Sequence, residues 1–154
     1  MSNQLEELLK KKKLEQDRAA IDRPKRLEEW RFACSGLIDR ARKWLAPLEQ
    51  KGYLTLSSEL ISIREEQFGE YEVPTLDVAF LTGRKLSFKP IGQTVIGALG
   101  RVDIISSGES VVMLVFRGGD QWEFAKREGR YGPPRTWPFS EQNLEDFLTN
   151  FLED

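Results

Sequence analysis

Apolar positions fall into three patterns along the chain. Leu27, Trp30, Cys34, Leu37, Ala41, Trp44 and Leu48 are spaced alternately three and four residues apart, with Ile38 and Leu45 widening the stripe. That rhythm predicts a strongly amphipathic helix. Its polar face carries Arg26, Arg31, Arg40, Arg42 and Lys43, and Pro47 followed by Gly52 ends it. Residues 2–21 are helical in composition but poorly amphipathic. Leu5, Leu8 and Leu9 make one short stripe, while Leu14 and Ile21 fall off it. Glu6–Lys10 and Glu7–Lys11 are favourable pairs one turn apart. The run Lys10 to Lys13 does not suit a buried face, so this segment reads as a solvated arm. A break is expected at Ile21-Asp22-Arg23-Pro24, where Asp22 can cap a new helix and Pro24 fits its first turn. The predicted division is therefore a polar helical arm, 1–22, and a single α+β domain, 23–154.

After Gly52 the period changes to two. Leu60 to Ile63, Tyr71 with Val73, Leu76 to Phe80 and Lys85 to Lys89 read as short strands punctuated by Gly69, Pro74 and Gly83. The proline marks an edge strand or a bulge. Val95-Ile96 and Val102 to Ile105 follow, and Ser106-Ser107-Gly108-Glu109 reads as a hairpin loop. Val111 to Phe116 is apolar throughout and predicts a central strand covered on both faces. Gly118-Gly119-Asp120 is a tight turn before Gln121 to Ala125, and residues 128–139 read as loop. Ser140 caps a last amphipathic helix, with Phe139 and Leu144 placed as a hydrophobic staple. Its stripe is Leu144, Phe147, Leu148, Phe151 and Leu152.

Helices and strands segregate along the chain, which predicts α+β. The expected architecture is N-terminal helices, a curved antiparallel sheet or partly open barrel of five to seven strands, and the C-terminal helix. From about residue 53 onward this order resembles a pleckstrin-homology-like barrel. The resemblance is one of architecture and implies a fold, not a function.

Composition narrows the chemistry. The chain contains no histidine and one cysteine, Cys34. Ser-His-Asp and Cys-His nucleophile systems, and zinc sites that need histidine or several cysteines, cannot be assembled within it. No motif for a cofactor or metal is present. No run of about 18 apolar residues predicts a membrane span. The charged N-terminus does not read as a signal peptide, and the chain is read as cytoplasmic. The net charge of -2 conceals blocks. Residues 23–48 hold seven basic and three acidic side chains, residues 49–80 two and seven, residues 81–137 nine and five, and residues 138–154 none and five.

Each candidate for chemistry stands beside a structural reading. Gly92 and Gly97 have the first spacing of a phosphate-binding loop, but Ala98 and Leu99 stand where lysine and a hydroxyl are required. These glycines read as bulges and bends of a coiled sheet. Asp77 with Glu123 and Lys126 approximates a magnesium-nuclease triad, but Glu-x-x-Lys puts the two side chains on opposite strand faces. Arg101 and Asp103 share a strand face, as an ion pair or a contact for a charged ligand. Cys34, Trp30 and Trp44 lie on the apolar stripe and read as core. The helix over 27–48 either packs on its own sheet or pairs with a second copy as a homodimer.

The segment 126–137 is the leading site. Lys126, Arg127, Arg130 and Arg135 accompany Tyr131 and Trp137 on an irregular connection. Arginine beside aromatics suits carboxylate, phosphate or protein recognition. The sequence therefore points to a small non-catalytic interaction protein, an adaptor, inhibitor or accessory subunit, whose partner is another protein. The alternative is nucleic-acid binding through the basic segments 10–13 and 126–137.

Overall fold

The computed structural model describes residues 3–93, 98–129 and 131–153. Among the described residues the chain builds one long helix α1 (Asn3–Gln50), nine strands and a closing helix α2 (Glu141–Glu153). The strands are β1 (Leu54–Ser57), β2 (Leu60–Glu65), β3 (Gly69–Pro74), β4 (Leu76–Phe80), β5 (Lys85–Gly92), β6 (Gly100–Ser106), β7 (Glu109–Gly118), β8 (Gln121–Lys126) and β9 (Arg135–Pro138). Seven of them form an antiparallel sheet ordered β1-β4-β5-β6-β7-β8-β9, and β2 pairs with β3 as a separate hairpin. The sheet is not closed: β1 and β9 are its edges. The α+β organisation and the C-terminal amphipathic helix are as expected.

Alternation decides which face of the sheet is covered. Leu76 and Val78, Leu86 and Phe88, Val102 and Ile104, Val112, Leu114 and Phe116, and Trp122 and Phe124 are all buried. On β8, Trp122 meets Trp30 of α1 with ring centroids 5.9 Å apart, and Phe124 meets Phe147 of α2 at 5.9 Å. Residues two apart on a strand share a face. Both helices therefore lie on one side of the sheet, and a single apolar cluster fills the layer between. This corrects the two-sided reading of β7: Val112, Leu114 and Phe116 are buried, whereas Val111, Met113 and Val115 on the other face are half-buried.

The expected break at Ile21-Asp22-Arg23-Pro24 is absent, because α1 runs through it with Pro24 and Pro47 inside. A proline removes one intrahelical N–H. On a solvated segment, water can serve the carbonyl that this N–H would have bonded, so the helix continues. Burial, however, changes along the same helix. Among the described side chains, everything from Asn3 to Arg26 is exposed, while Trp30, Ala33, Cys34, Leu37, Ile38, Ala41 and Leu45 are buried against the sheet. The 27–48 stripe thus packs on its own sheet. Its basic face is not all solvent. Arg40 donates to the backbone oxygens of Asp120 and Phe139 at 3.0 and 3.2 Å and lies over the rings of Trp44 and Phe139, clamping α1 to the β7–β8 turn and the start of α2.

Close packing explains one glycine. A Cβ at Gly100 would come within 2.2 Å of the Trp30 ring, so the β6 backbone lies directly against the indole. At the other end, the Ser140 hydroxyl accepts the Asn143 N–H at 3.1 Å, the capping bond expected for α2. Val95 and Ile96, expected as a strand, and Gly97 lie outside the described residues.

Candidate functional site: a basic and aromatic groove beside helix α2

The segment 128–139, expected as loop, ends in strand β9. Pairing of β8 with β9 sets Lys126 opposite Arg135, Ala125 opposite Thr136 and Phe124 opposite Trp137. The four residues Arg-Thr-Trp-Pro are too short to show alternation, and Pro138 suits only the end of an edge strand. The pairing puts Lys126 and Arg135 side by side on the face that α2 covers, at the margin where that cover stops. Two cations directly opposite each other destabilise a strand pair unless an anion lies between them. Glu128 supplies part of that compensation, 3.3 Å from Arg135 with both side chains well exposed.

The groove that results has a volume of about 650 Å³. Lys126, Arg127 and Arg135, with Glu128 among them, form a basic wall, Trp137 and Phe147 its aromatic surface, and Asn143, Asp146 and Asn150 of α2 the opposite wall. Trp137 stacks on Phe124 with centroids 5.4 Å apart, and the Arg135 guanidinium lies 5.0 Å over the Trp137 ring. Core packing therefore holds the aromatic, and the aromatic orients the arginine. Of the six residues expected here, Lys126, Arg127, Arg135 and Trp137 line the groove. Tyr131 is 87% exposed and does not line it. Arg130 lies outside the described residues. The contribution of α2 was not foreseen, because Phe147 read only as a core residue. The available signal was the polar row Asn143, Asp146 and Asn150 flanking that stripe.

The remaining candidates resolve into structural roles. Asp77 accepts the Ser87 hydroxyl on the outer face of the sheet. Glu123 meets Arg117 at 3.5 Å, and β4 stands four strands from β8, about 19 Å away at ordinary strand spacing. The nuclease triad is therefore not brought together. Arg101 binds both carboxylate oxygens of Asp103, at 2.6 and 2.8 Å, and this pairing holds the guanidinium above the usual arginine range. Gly92 lies at a register shift between β5 and β6, in line with its reading as a bulge. Cys34 is fully buried, and burial first, then the Glu65 carboxylate, pushes its thiol above the usual range. It is not a poised nucleophile. Among the described residues, no cluster of three metal-ligating side chains occurs.

One polar network escaped the sequence entirely. Trp30 Nε1 donates to the Tyr71 hydroxyl at 3.1 Å, and that hydroxyl donates to Glu65 Oε2. Gln93 adds its backbone N–H to Glu65 Oε1 at 2.7 Å and its side-chain amide to Oε2 at 3.3 Å. Both carboxylate oxygens thus accept bonds from within the chain. The network ties the β2–β3 hairpin to α1 and to the end of β5. Burial, then the Glu65 bond, pushes the Tyr71 hydroxyl above the usual tyrosine range.

Compared with protein-family models, with curated proteins and with solved structures, the chain finds no match in any of the three. No helix among the described residues is long and apolar enough to cross a membrane.

Proposed function

We propose that this chain is a non-catalytic protein-interaction domain that takes an acidic segment of a partner protein into the groove between β9 and α2. The observation that carries this reading is the cross-strand pair Lys126 and Arg135, set opposite each other beside the aromatic surface of Trp137. A carboxylate arriving there relieves like-charge repulsion, and the adjoining rings accept an apolar neighbour. Asp146 on the facing wall, within a 138–154 segment of five acids and no base, works against an extended polyanion. That favours a peptide carrying a few carboxylates over nucleic acid. The other basic run, Lys10 to Lys13, does not extend the groove. Lys13 lies about 40 Å along the α1 axis from Arg40, which bonds the Phe139 carbonyl just before α2. A cytoplasmic setting suits the single free thiol of Cys34.

The test is lysine-directed crosslinking of the full chain in its native cells. Crosslinks from Lys126 to an acidic segment of a stoichiometric protein partner are expected. They should disappear in Arg135→Glu, which leaves the reactive lysine in place. Copurification of nuclease-sensitive nucleic acid, or crosslinks unaffected by Arg135→Glu, would overturn the proposal.

A further inference from the structure

The free end of α1 and a second groove at its other end are complementary, and one chain cannot bring them together. The free end presents Leu5, Leu8 and Leu9, which are 53%, 51% and 58% exposed. Their i, i+3, i+4 spacing sets them on one face, and Lys12 continues that face one turn on. The second groove, about 390 Å³, runs between the C-terminal end of α1 and α2. Trp44 and Leu48 of α1, Phe80 of β4, and Leu148 and Leu152 of α2 line it. Its charged residues are Glu141 and Glu145, one helical turn apart on α2, and no cation lines it among the described residues. The volume accommodates a few aliphatic side chains rather than a helix about 10–12 Å wide.

Charge and apolarity therefore match: leucines ahead of Lys12 on one helix face, an apolar slot edged by two glutamates on the other surface. Both surfaces belong to the same uninterrupted helix, and Leu8 lies about 50 Å along its axis from Trp44. An intrachain contact is excluded by that distance.

We propose that the free end of α1 docks in the α1–α2 groove of a second copy of this chain. Leu5, Leu8 and Leu9 enter the groove, and Lys12 exchanges its exposed pairing with Glu15 for Glu141 and Glu145. Two α1 helices lying antiparallel bring both such contacts into register at once, because each helix spans the same distance between its free end and its groove. The result is a closed two-fold dimer with the same patches used on both subunits. The 126–137 groove takes no part, so this proposal and the preceding one can fail independently.

Sedimentation velocity on the full chain tests it, at about 50 mM salt where surface charges are weakly screened. The unmodified chain is expected to dimerise with rising concentration, and less so at about 500 mM salt. Leu8→Asp with Leu9→Asp destroys the docking face, and Glu141→Lys with Glu145→Lys reverses the groove's charge. Each double variant is expected to weaken self-association at least about tenfold. All four positions are exposed, and circular dichroism checks that each variant is folded. The decisive sample is the equimolar mixture of the two variants. One intact free end then meets one intact groove, and a 1:1 complex should form that neither variant forms alone. A monomeric unmodified chain, a dimer indifferent to both double variants, or a mixture no more associated than its components would overturn the proposal. The first result leaves the groove to a different protein, and the second places the dimer contact elsewhere.

Discussion

The two halves of α1 share one backbone conformation and almost nothing else. From Trp30 to Leu45 the helix buries seven side chains under the sheet, reinforced by the Trp30–Tyr71 bond and the Arg40 clamp. From Asn3 to Arg26 every described side chain is exposed, and the ion pair found there, Lys12 with Glu15 at 3.9 Å, is a surface pair of little strength. The first half is supported by the propensity of its leucines, lysines and glutamates, the second by tertiary packing. A regular helix is therefore not evidence that its residues hold the fold together.

That contrast can be broken most forcefully at Trp30. Trp30→Ala should destabilise the domain by about 3–5 kcal/mol, since it empties a core site and leaves the Tyr71 hydroxyl without one partner. Leu14→Ala on the same helix, exposed and off the docking face, should shift stability by less than about 0.5 kcal/mol. Urea denaturation of both variants measures the difference, and similar midpoints would mean that burial does not divide α1.

A smaller effect is expected at Tyr71. Tyr71→Phe should lose about 1–3 kcal/mol by leaving Glu65 and the Trp30 indole short of a partner. It should also change the alkaline limb. The folded state holds the Tyr71 proton more tightly than the unfolded chain does, and Cys34 behaves alike. Their stabilising contributions are fully present below the ordinary pKa values, about 8.5 for thiol and 10 for phenol, and fall as pH rises through and above them. Urea midpoints between about pH 8 and 11 should decline less steeply in Tyr71→Phe than in the unmodified chain, and equal slopes would remove tyrosine from the account.

The smallest effect on the domain is expected from Pro24→Ala. Alanine is favoured over proline by about 3 kcal/mol inside a helix, so helical content in circular dichroism should rise. The urea midpoint should stay where it is. A midpoint that rises with it would show that the halves melt as one unit.

How far the sequence led depended on how much of the pattern was local. The α1 core stripe, the cap at Ser140 and the β6–β7 hairpin rest on neighbours within a turn or a few residues, and each was foreseen. Continuity through Pro24 was not, because a local signal for starting a helix looks the same whether or not another helix precedes it. Strand β9 reads as loop in the sequence, since four residues with a proline carry no period and exist as a strand only through β8. Composition alone singles out the basic–aromatic segment as a candidate. Its geometry is not legible there, because the pairing of Lys126 with Arg135 and the facing wall of Asn143 and Asp146 are set by tertiary contacts. Glu65 and Gln93 give no signal at all, standing 28 residues apart in a chain with seventeen glutamates and seven glutamines.

Cys34 sits with no exposed surface in the seam between α1 and the sheet, and it is the chain's lone thiol. A thiol-modifying reagent therefore has a single target, reached only when the two layers part. Where the layers reclose faster than the reagent acts, the modification rate reports how often they are apart. Where the reagent is faster, it times each opening event. The fold thus carries its own clock for the motion that separates helix from sheet, placed by packing and needing no label to be introduced.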